Sequence, residues 1–240
     1  MTLLTEPPLY IGCAGWSLPR EQWPRFHGEG SHLQRYASRF LGVEINSAFY
    51  RPHRPATYAR WGASVPENFR FSVKMPKQIT HEHRLEHCEP LLASFLEQCG
   101  ALGERLGCLL VQLPPSLAFE PVTAALFFEA LRRLYSGPVV LEPRHPSWLE
   151  AGELLEAWHV GWVEADPAPL GEREPLGWQG VAYVRLHGTP KIYYSAYSEL
   201  FLTALAERLR SRAVPTWCIF DNTAAGAAVP DALQVVEQLE

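Results

Sequence analysis

The sequence lacks the marks of several protein classes. Its five cysteines (Cys13, Cys88, Cys99, Cys108 and Cys218) are odd in number and scattered, with no C-x-x-C pair. Neither a disulfide framework nor a zinc knuckle is expected, and a reducing compartment is. No apolar run approaches the roughly 18 residues of a membrane span. The opening stretch MTLLTEPPLY has no basic region and no long apolar one. It does not read as a secretory signal, and the expected location is the cytoplasm. Positive charge is also scarce: 21 Lys plus Arg stand against 26 Asp plus Glu, a net −5. That removes a global cationic field for coating duplex DNA while leaving room for a local basic pocket. There is no linker, low-complexity segment or internal repeat, so residues 1–240 read as one domain.

What is present is an ordinary globular composition with many aromatics, including eight Trp, which demand a large buried core. Eight short apolar runs qualify as strands: Leu9–Ala14, Leu41–Asn46, Phe69–Met75, Gly107–Leu113, Pro138–Glu142, Val160–Asp166, Val181–His187 and Thr216–Asp221. Most lack polar alternation, as strands buried on both faces of a parallel sheet do. Between them lie apolar stripes at helical spacing: Leu92, Phe95, Leu96, Cys99 and Leu106; Phe127, Ala130, Leu131 and Leu134; Leu202, Leu205 and Leu209; Leu233, Val236 and Leu239. Pro76, Pro114, Pro143 and Pro167 directly follow strand candidates, because proline cannot donate to a ladder. Gly42, Gly107, Gly137 and Gly161 fall before or at strand starts, where a left-handed turn residue is expected. Eight strand-then-helix units predict a single (β/α)₈ barrel of the TIM type. The segment 167–180 (PAPLGEREPLGWQG) is too rich in Pro and Gly for a helix, so the sixth crossover is expected to be irregular. A doubly wound open sheet is the competitor, and no G-x-G-x-x-G follows the first strand to support it.

Barrel chemistry gathers at the carboxyl ends of strands. Those ends carry Trp16, Glu44, Asn46, Tyr50, Lys74, Gln112, Glu142, Arg144, His145, Glu164, Asp166, Arg185, His187, Asp221 and Asn222. Period-two alternation puts Glu44 with Asn46, Glu164 with Asp166, and Arg185 with His187, each pair on one face directed to the barrel mouth or paired inside it. Lys74, Arg144 and Arg185 are placed to clamp an anionic group. Alternatively, Glu44, Lys74, Glu142 and Arg185 form a buried ion-pair layer with no chemistry, since buried charges persist only when paired. The aromatics after the strands, Trp16, Phe49, Tyr50, Trp148, Tyr193, Tyr194 and Tyr197, offer stacking faces for a sugar or base. Cys13 reads as a small buried residue rather than a nucleophile. The loop 224–228 (AAGAA) is a weak phosphate cradle. No cofactor is predicted. The one hint of a divalent metal, His81, His83 and His87, reads better as a solvated loop.

The segments IGCAGWS, FLGVEINSAFY, FRFSVKMPKQITH, LGCLLVQLPPS, LEPRHPSW, YVRLHGT with YYSAYS, and FDNTAAGAAVPDAL occur in that order. Together they resemble the YecE-like family, a domain of unknown function, from about residue 10 to 235. The resemblance implies a TIM-type barrel. It also implies a pocket made from Gly15, Trp16, Glu44, Asn46, Tyr50, Lys74, His81, Gln112, Glu142, Arg144, His145, Trp148, Asp166, Arg185, His187, Gly188, Tyr197, Asp221 and Asn222. His83 and His87 fall outside that pattern.

The expected function is an enzyme, a hydrolase or isomerase, holding an anionic small molecule or sugar-phosphate at the barrel mouth. Glu142 or Glu44 would act as general acid/base, His187 or His145 as proton partner and Asp166 as its orienting group. Trp16, Asn46, Tyr50, Gln112, Trp148, Tyr197, Asp221 and Asn222 would line the binding site with the three cations. The alternative is a nucleic-acid-binding or processing protein resembling apurinic-site endonuclease barrels, which the net charge disfavours. No membrane partner is expected, and the oligomeric state is not legible from the sequence.

Overall fold

The computed structural model describes residues 7–240. Residues 1–6, on which the reading of the opening stretch partly rests, lie outside the described residues. Eight parallel strands run β1 (Leu9–Cys13), β2 (Gly42–Ile45), β3 (Arg70–Lys74), β4 (Leu106–Gln112), β5 (Val139–Glu142), β6 (Val160–Asp166), β7 (Ala182–Leu186) and β8 (Thr216–Phe220). Each lies within one residue of the expected bounds at either end. Their order is β1-β8-β7-β6-β5-β4-β3-β2, with every ladder parallel. The two end strands meet through one bridge, Ala14 with Glu44, where the Gly15 N–H donates to the Glu44 carbonyl at 2.9 Å. The sheet is therefore a nearly closed barrel.

The helices are α1 (His32–Tyr36), α2 (Ser47–Tyr50), α3 (Pro55–Ala63), α4 (Glu89–Gly100), α5 (Pro121–Leu134), α6 (Gly152–Ala157), α7 (Glu199–Arg210) and α8 (Ala228–Leu239). Their starts follow from local chemistry. Ser31 and Gln34 form a capping box on α1; Glu120 caps α5 ahead of Pro121; Ser198 caps α7. The sixth crossover contains no helix, as the Pro- and Gly-rich segment requires. The step from Cys99 to Leu106 is not helical, however: α4 stops at Gly100, and Leu106 opens β4. None of the described helices is long and apolar enough to cross a membrane.

Side chains inside the barrel follow strand parity. Cys108, Leu110, Val140, Val163, Tyr183, Trp217 and Ile219 fill its lower half, and Tyr183 stacks on Trp217 with ring centroids 5.9 Å apart. Gly42 and Gly107 make room for that indole: an added Cβ at Gly107 would lie 2.7 Å from the Trp217 ring, and one at Gly42 3.2 Å from it. Neither residue has a positive φ, nor do Gly137 and Gly161. Gly42, Gly107 and Gly161 are thus spacers where neighbours pack closely, and Gly137 leaves room for the Tyr135 ring; none of the four is a left-handed turn residue.

The β1–β2 seam has an unusual construction. The Tyr36 hydroxyl accepts the Cys13 N–H at 2.7 Å and donates to the Gly42 carbonyl at 3.0 Å, so a side chain carries a link that backbone supplies elsewhere. Gly12 permits it, since a Cβ there would fall 2.5 Å from that hydroxyl and 1.9 Å from the Gly42 oxygen. All five cysteines are unpaired and buried. Burial pushes the Cys13 thiol up, which suits a small core residue better than a nucleophile.

Candidate functional site

At the upper ends of the strands the interior changes from apolar to charged. Inward parity delivers Glu44 from β2, Ser72 and Lys74 from β3, Gln112 from β4, Glu142 from β5, Arg185 from β7, and His187 and Asp221 just beyond β7 and β8. All are buried.

Arg185 is the hub. Its Nε and Nη2 donate to the two oxygens of Glu44 at 3.0 and 2.7 Å; Nη1 donates to Glu142 Oε2 at 2.6 Å, and Nη2 also to Asp221 Oδ2 at 3.1 Å. Below it, the Tyr183 hydroxyl donates to Glu44 Oε2 at 2.9 Å and accepts from Ser72 Oγ at 2.8 Å. A buried guanidinium can persist only with such partners, and this one is enclosed by three carboxylates. The ion-pair layer foreseen as the non-catalytic reading exists for Glu44, Glu142 and Arg185. Arg185 therefore spends four of its five N–H donors on carboxylates and, being fully buried, presents none at the surface for a ligand anion.

Three groups stand between this layer and solvent. Arg144 donates to Glu142 Oε1 through Nε and Nη2, at 3.2 and 2.8 Å. His187 is held through Nδ1 by Asp221 Oδ2 at 3.0 Å; its Nε2 lies 3.4 Å from Glu142 Oε1 and makes no hydrogen bond. Lys74, 7% exposed, makes no ion pair or hydrogen bond among the described residues, and its Nζ sits 4.2 Å above the Phe49 ring.

The fields set the protonation states. Burial pushes Glu142 upward, but Arg185, His187 and Arg144 together hold its carboxyl well below the usual range. Asp221 is likewise held down against burial by Arg185, His187 and Lys74. Burial lowers His187, yet its bonds to Asp221 and its nearness to Glu142 raise it overall, favouring the imidazolium. Lys74 moves the other way: burial first, then the Arg185 charge, bring its ammonium down to about 8, against the pull of Glu44, Glu142 and Asp221.

A cavity of about 380 Å³ opens onto this layer, lined by Glu142, Arg144, Pro167, Ala168, Pro169, His187, Ile192 and Tyr193. Tyr193 is fixed over it. Its N–H donates to the His187 carbonyl, its own carbonyl accepts from Ala224 N–H at 3.0 Å, and its ring meets the His187 ring edge-on at 5.8 Å. It holds φ +70°, an unfavourable region for a tyrosine and of the sort that clusters at functional loops.

Other expected site residues lie elsewhere. Asn46 touches the layer loosely, its Nδ2 3.5 Å from Asp221 Oδ1, with its buried Oδ1 unbonded. Gln112 donates to the Leu113 carbonyl at 3.0 Å. Glu164 and Asp166 have outward parity, the inward residues of β6 being Val163 and Ala165. Glu164 accepts from Arg212 at 2.6 Å, and Asp166 accepts from the hydroxyls of Tyr197 at 2.8 Å and Thr189 at 3.0 Å. The Asp166 carboxylate thus fastens the loop after β7; its backbone carbonyl accepts the His187 N–H at 2.7 Å, but the His187 ring is oriented by Asp221 and not by the Asp166 side chain. His145 bonds the Ser147 hydroxyl at 2.8 Å at the start of a short 3-10 turn. Trp148 is buried, donates to the Leu117 carbonyl and packs on Phe119. Asn222 bonds Ser195 and Asp231, while Tyr197 stacks on Phe201. Trp16 packs edge-on against Trp61, and Tyr50 is 71% exposed.

His81 bonds Thr80, whereas His83 and His87 are exposed. Among the described residues no three His, Cys, Asp or Glu side chains are grouped to share a metal ion; the inner carboxylates converge on Arg185 instead. Sequence reasoning missed Tyr183 and Ser72. Both share a strand face with residues it had chosen, two positions before Arg185 and Lys74.

Comparison with known proteins agrees with this architecture. A family model described as a protein of unknown function, DUF72, matches residues 10–240. The protein YecE of Escherichia coli is 34% identical over 146 residues, 60% of this chain and 52% of that protein, so the match spans about half of that relative's length. The crystal structure of a DUF72 family protein from Thermotoga maritima superposes with TM-score 0.79 at 28% identity, covering 97% of this chain and 99% of that one. More distant barrels include a sugar phosphate isomerase/epimerase from Parabacteroides distasonis, with TM-score 0.54, 8% identity and coverage of 99% and 97%. SacUVDE is another, with TM-score 0.59, 12% identity and coverage of 97% and 98%. At those identities the likeness is one of fold alone.

Proposed function

The chain belongs to the DUF72 family, and from that premise we propose that it is an enzyme acting on a small, oxygen-rich anion at the barrel mouth. The observation that carries the reading is the charge balance there. Lys74, Arg144 and Arg185 match Glu44, Glu142 and Asp221 three for three, and His187, whose imidazolium is favoured by its bond to Asp221 and by nearby Glu142, stands beside the cavity. The carboxylates are engaged by Arg185, so the groups left to meet a ligand are cationic: Arg144 and His187, which line the cavity, and Lys74, 7% exposed in the same charged layer.

The reaction class is isomerisation or hydrolysis by proton transfer. His187 is oriented through Nδ1 by Asp221, the arrangement that fixes an imidazole for acid/base work at Nε2. Glu142, 3.4 Å from that nitrogen and held ionised by two arginines, stabilises the imidazolium formed when His187 takes a proton. The isomerase/epimerase likeness agrees as an analogy of fold.

The test is a thermal-shift screen of phosphorylated sugars and inorganic phosphate against the wild type, Glu142→Gln and Arg144→Met. Saturable stabilisation of the wild type and its loss in Arg144→Met is the expected outcome. No stabilisation by any anion would sink the reading. A nucleic-acid role draws on the exposed rings of Tyr50, Tyr193 and Tyr194, which could stack an extruded base. Salt-dependent binding of a damaged oligonucleotide at low ionic strength is what it requires.

A further inference from the structure

The chain is sparing with lysine. It has eighteen arginines and three lysines: Lys74, Lys77 and Lys191. The latter two are exposed, and Lys77 pairs with Glu82 at 3.1 Å. The third is buried in the barrel mouth. A cation needed there only for charge would be met by arginine, the residue at eighteen of the protein's other twenty Lys or Arg positions and one that pairs better with anions. An arginine side chain, however, is not a nucleophile at any ordinary pH; an amine is.

The surroundings of Lys74 are those of a reactive amine. It projects from the upper end of β3, faces the ion-pair layer and forms no salt bridge among the described residues, although three buried carboxylates stand in the same layer. Those carboxylates are turned onto Arg185. The Lys74 Nζ rests on the Phe49 ring instead. An unpaired buried ammonium is costly, and shedding its proton is the natural relief.

We propose that Lys74 is a covalent catalytic residue whose Nζ condenses with the carbonyl group of an aldehyde or ketone substrate bearing an anionic substituent. This rests on the anion-binding mouth described above and names its substrate class. In the condensation the nitrogen lone pair forms the C–N bond, the carbonyl oxygen departs as water with both amine protons, and an imine remains. Protonation of that imine nitrogen gives an iminium that withdraws electrons from the neighbouring carbon. A proton there becomes removable by a base, which is the step an isomerase of this kind needs.

With its ammonium near 8, Lys74 holds on the order of a hundred times more free amine at neutral pH than an ordinary lysine. Burial sets this value first; of the charged groups, Arg185 on β7 lowers it further, while Glu44 on β2, Glu142 on β5 and Asp221 just beyond β8 raise it. Next to Lys74 after β3 lies His81, itself lowered by burial and by the Lys74 charge.

Trapping tests the proposal. The intact protein is incubated with glyceraldehyde 3-phosphate, reduced with sodium borohydride and mapped by peptide mass, while thermal shift with the same compound and with inorganic phosphate is read in parallel. One adduct per chain is expected, on Lys74, in large excess over Lys77 and Lys191, rising with pH to half its maximum near 8. It should vanish in Lys74→Arg and persist in Lys77→Arg and Lys191→Arg. A thermal shift with phosphate but no Lys74 adduct, or label spread evenly over the three lysines, overturns the covalent role and leaves the anion site standing. Absence of both shift and adduct overturns both.

Discussion

The barrel interior has two halves that solve the same packing problem in opposite ways. The lower half is filled by apolar and aromatic side chains stacked around Trp217, with Gly42 and Gly107 shaped to receive it. The upper half is filled by a guanidinium and three carboxylates. Tyr183 belongs to both, its ring on Trp217 and its hydroxyl on Glu44. Shape complementarity holds one half and charge complementarity the other. Only the charged half can respond to pH, ions or a ligand.

The comparison breaks most visibly if one central residue is removed from each half. Trp217→Ala should cost about 3–5 kcal/mol in denaturant unfolding, through lost burial and a cavity, with little dependence on pH. Arg185→Leu should cost about as much near neutrality, because it strands three buried carboxylates. That loss should shrink in acid. Glu142 and Asp221 have folded pKa values below their unfolded ones, so the stability they supply is present above about pH 4.5 and disappears as pH falls through the folded values. Equal pH profiles for the two variants would defeat the contrast. His187 adds the opposite slope: its raised value lends stability below about pH 6.5 that fades as pH climbs through the folded value.

A smaller effect of opposite sign sharpens the contrast within the charged half. Lys74→Met should stabilise the protein by about 1–3 kcal/mol below pH 8, since the folded state holds this ammonium below its usual 10.5. The gain should fade between pH 8 and 10.5, while anion binding weakens. Such a trade marks a group kept for chemistry at the expense of stability. Next in size, Tyr36→Phe should cost about 1–3 kcal/mol in the same unfolding assay, by leaving the Cys13 N–H and the Gly42 carbonyl without their partner. Last, Tyr193→Gly should gain about 0.5–1 kcal/mol by relieving a left-handed tyrosine and should loosen ligand binding in the thermal-shift screen.

Much of the barrel was legible because strands covered on both faces read as unbroken apolar runs, a signal strong enough to place all eight within a residue. The charged half was legible as a set of residue types. Its pairing was not. That Arg185 meets Glu44, Glu142 and Asp221 depends on the stagger of β2, β5, β7 and β8 around the ring, which no single strand records. The same gap misdirected Glu164 and Asp166. On a strand buried on both sides, parity gives two faces but does not say which one is the inside. Leu106 misled for a different reason, a chance multiple of the helical repeat carried across the end of α4. Gly42 and Gly107 were noticed for their flexibility, whereas the fold uses their lack of volume.

The seam through Tyr36 has a bearing on the site. Seven of the eight joints between strands are ladders of backbone groups and are nearly indifferent to sequence. The eighth hangs on one phenolic oxygen and on the Glu44 carbonyl that receives Gly15. Glu44 is also the residue that grips Arg185 with both carboxylate oxygens. The hoop is therefore fastened by the same amino acid that anchors the charge cluster. Loosening the clasp would be felt at the guanidinium, and a ligand that tightened the cluster would draw the hoop shut.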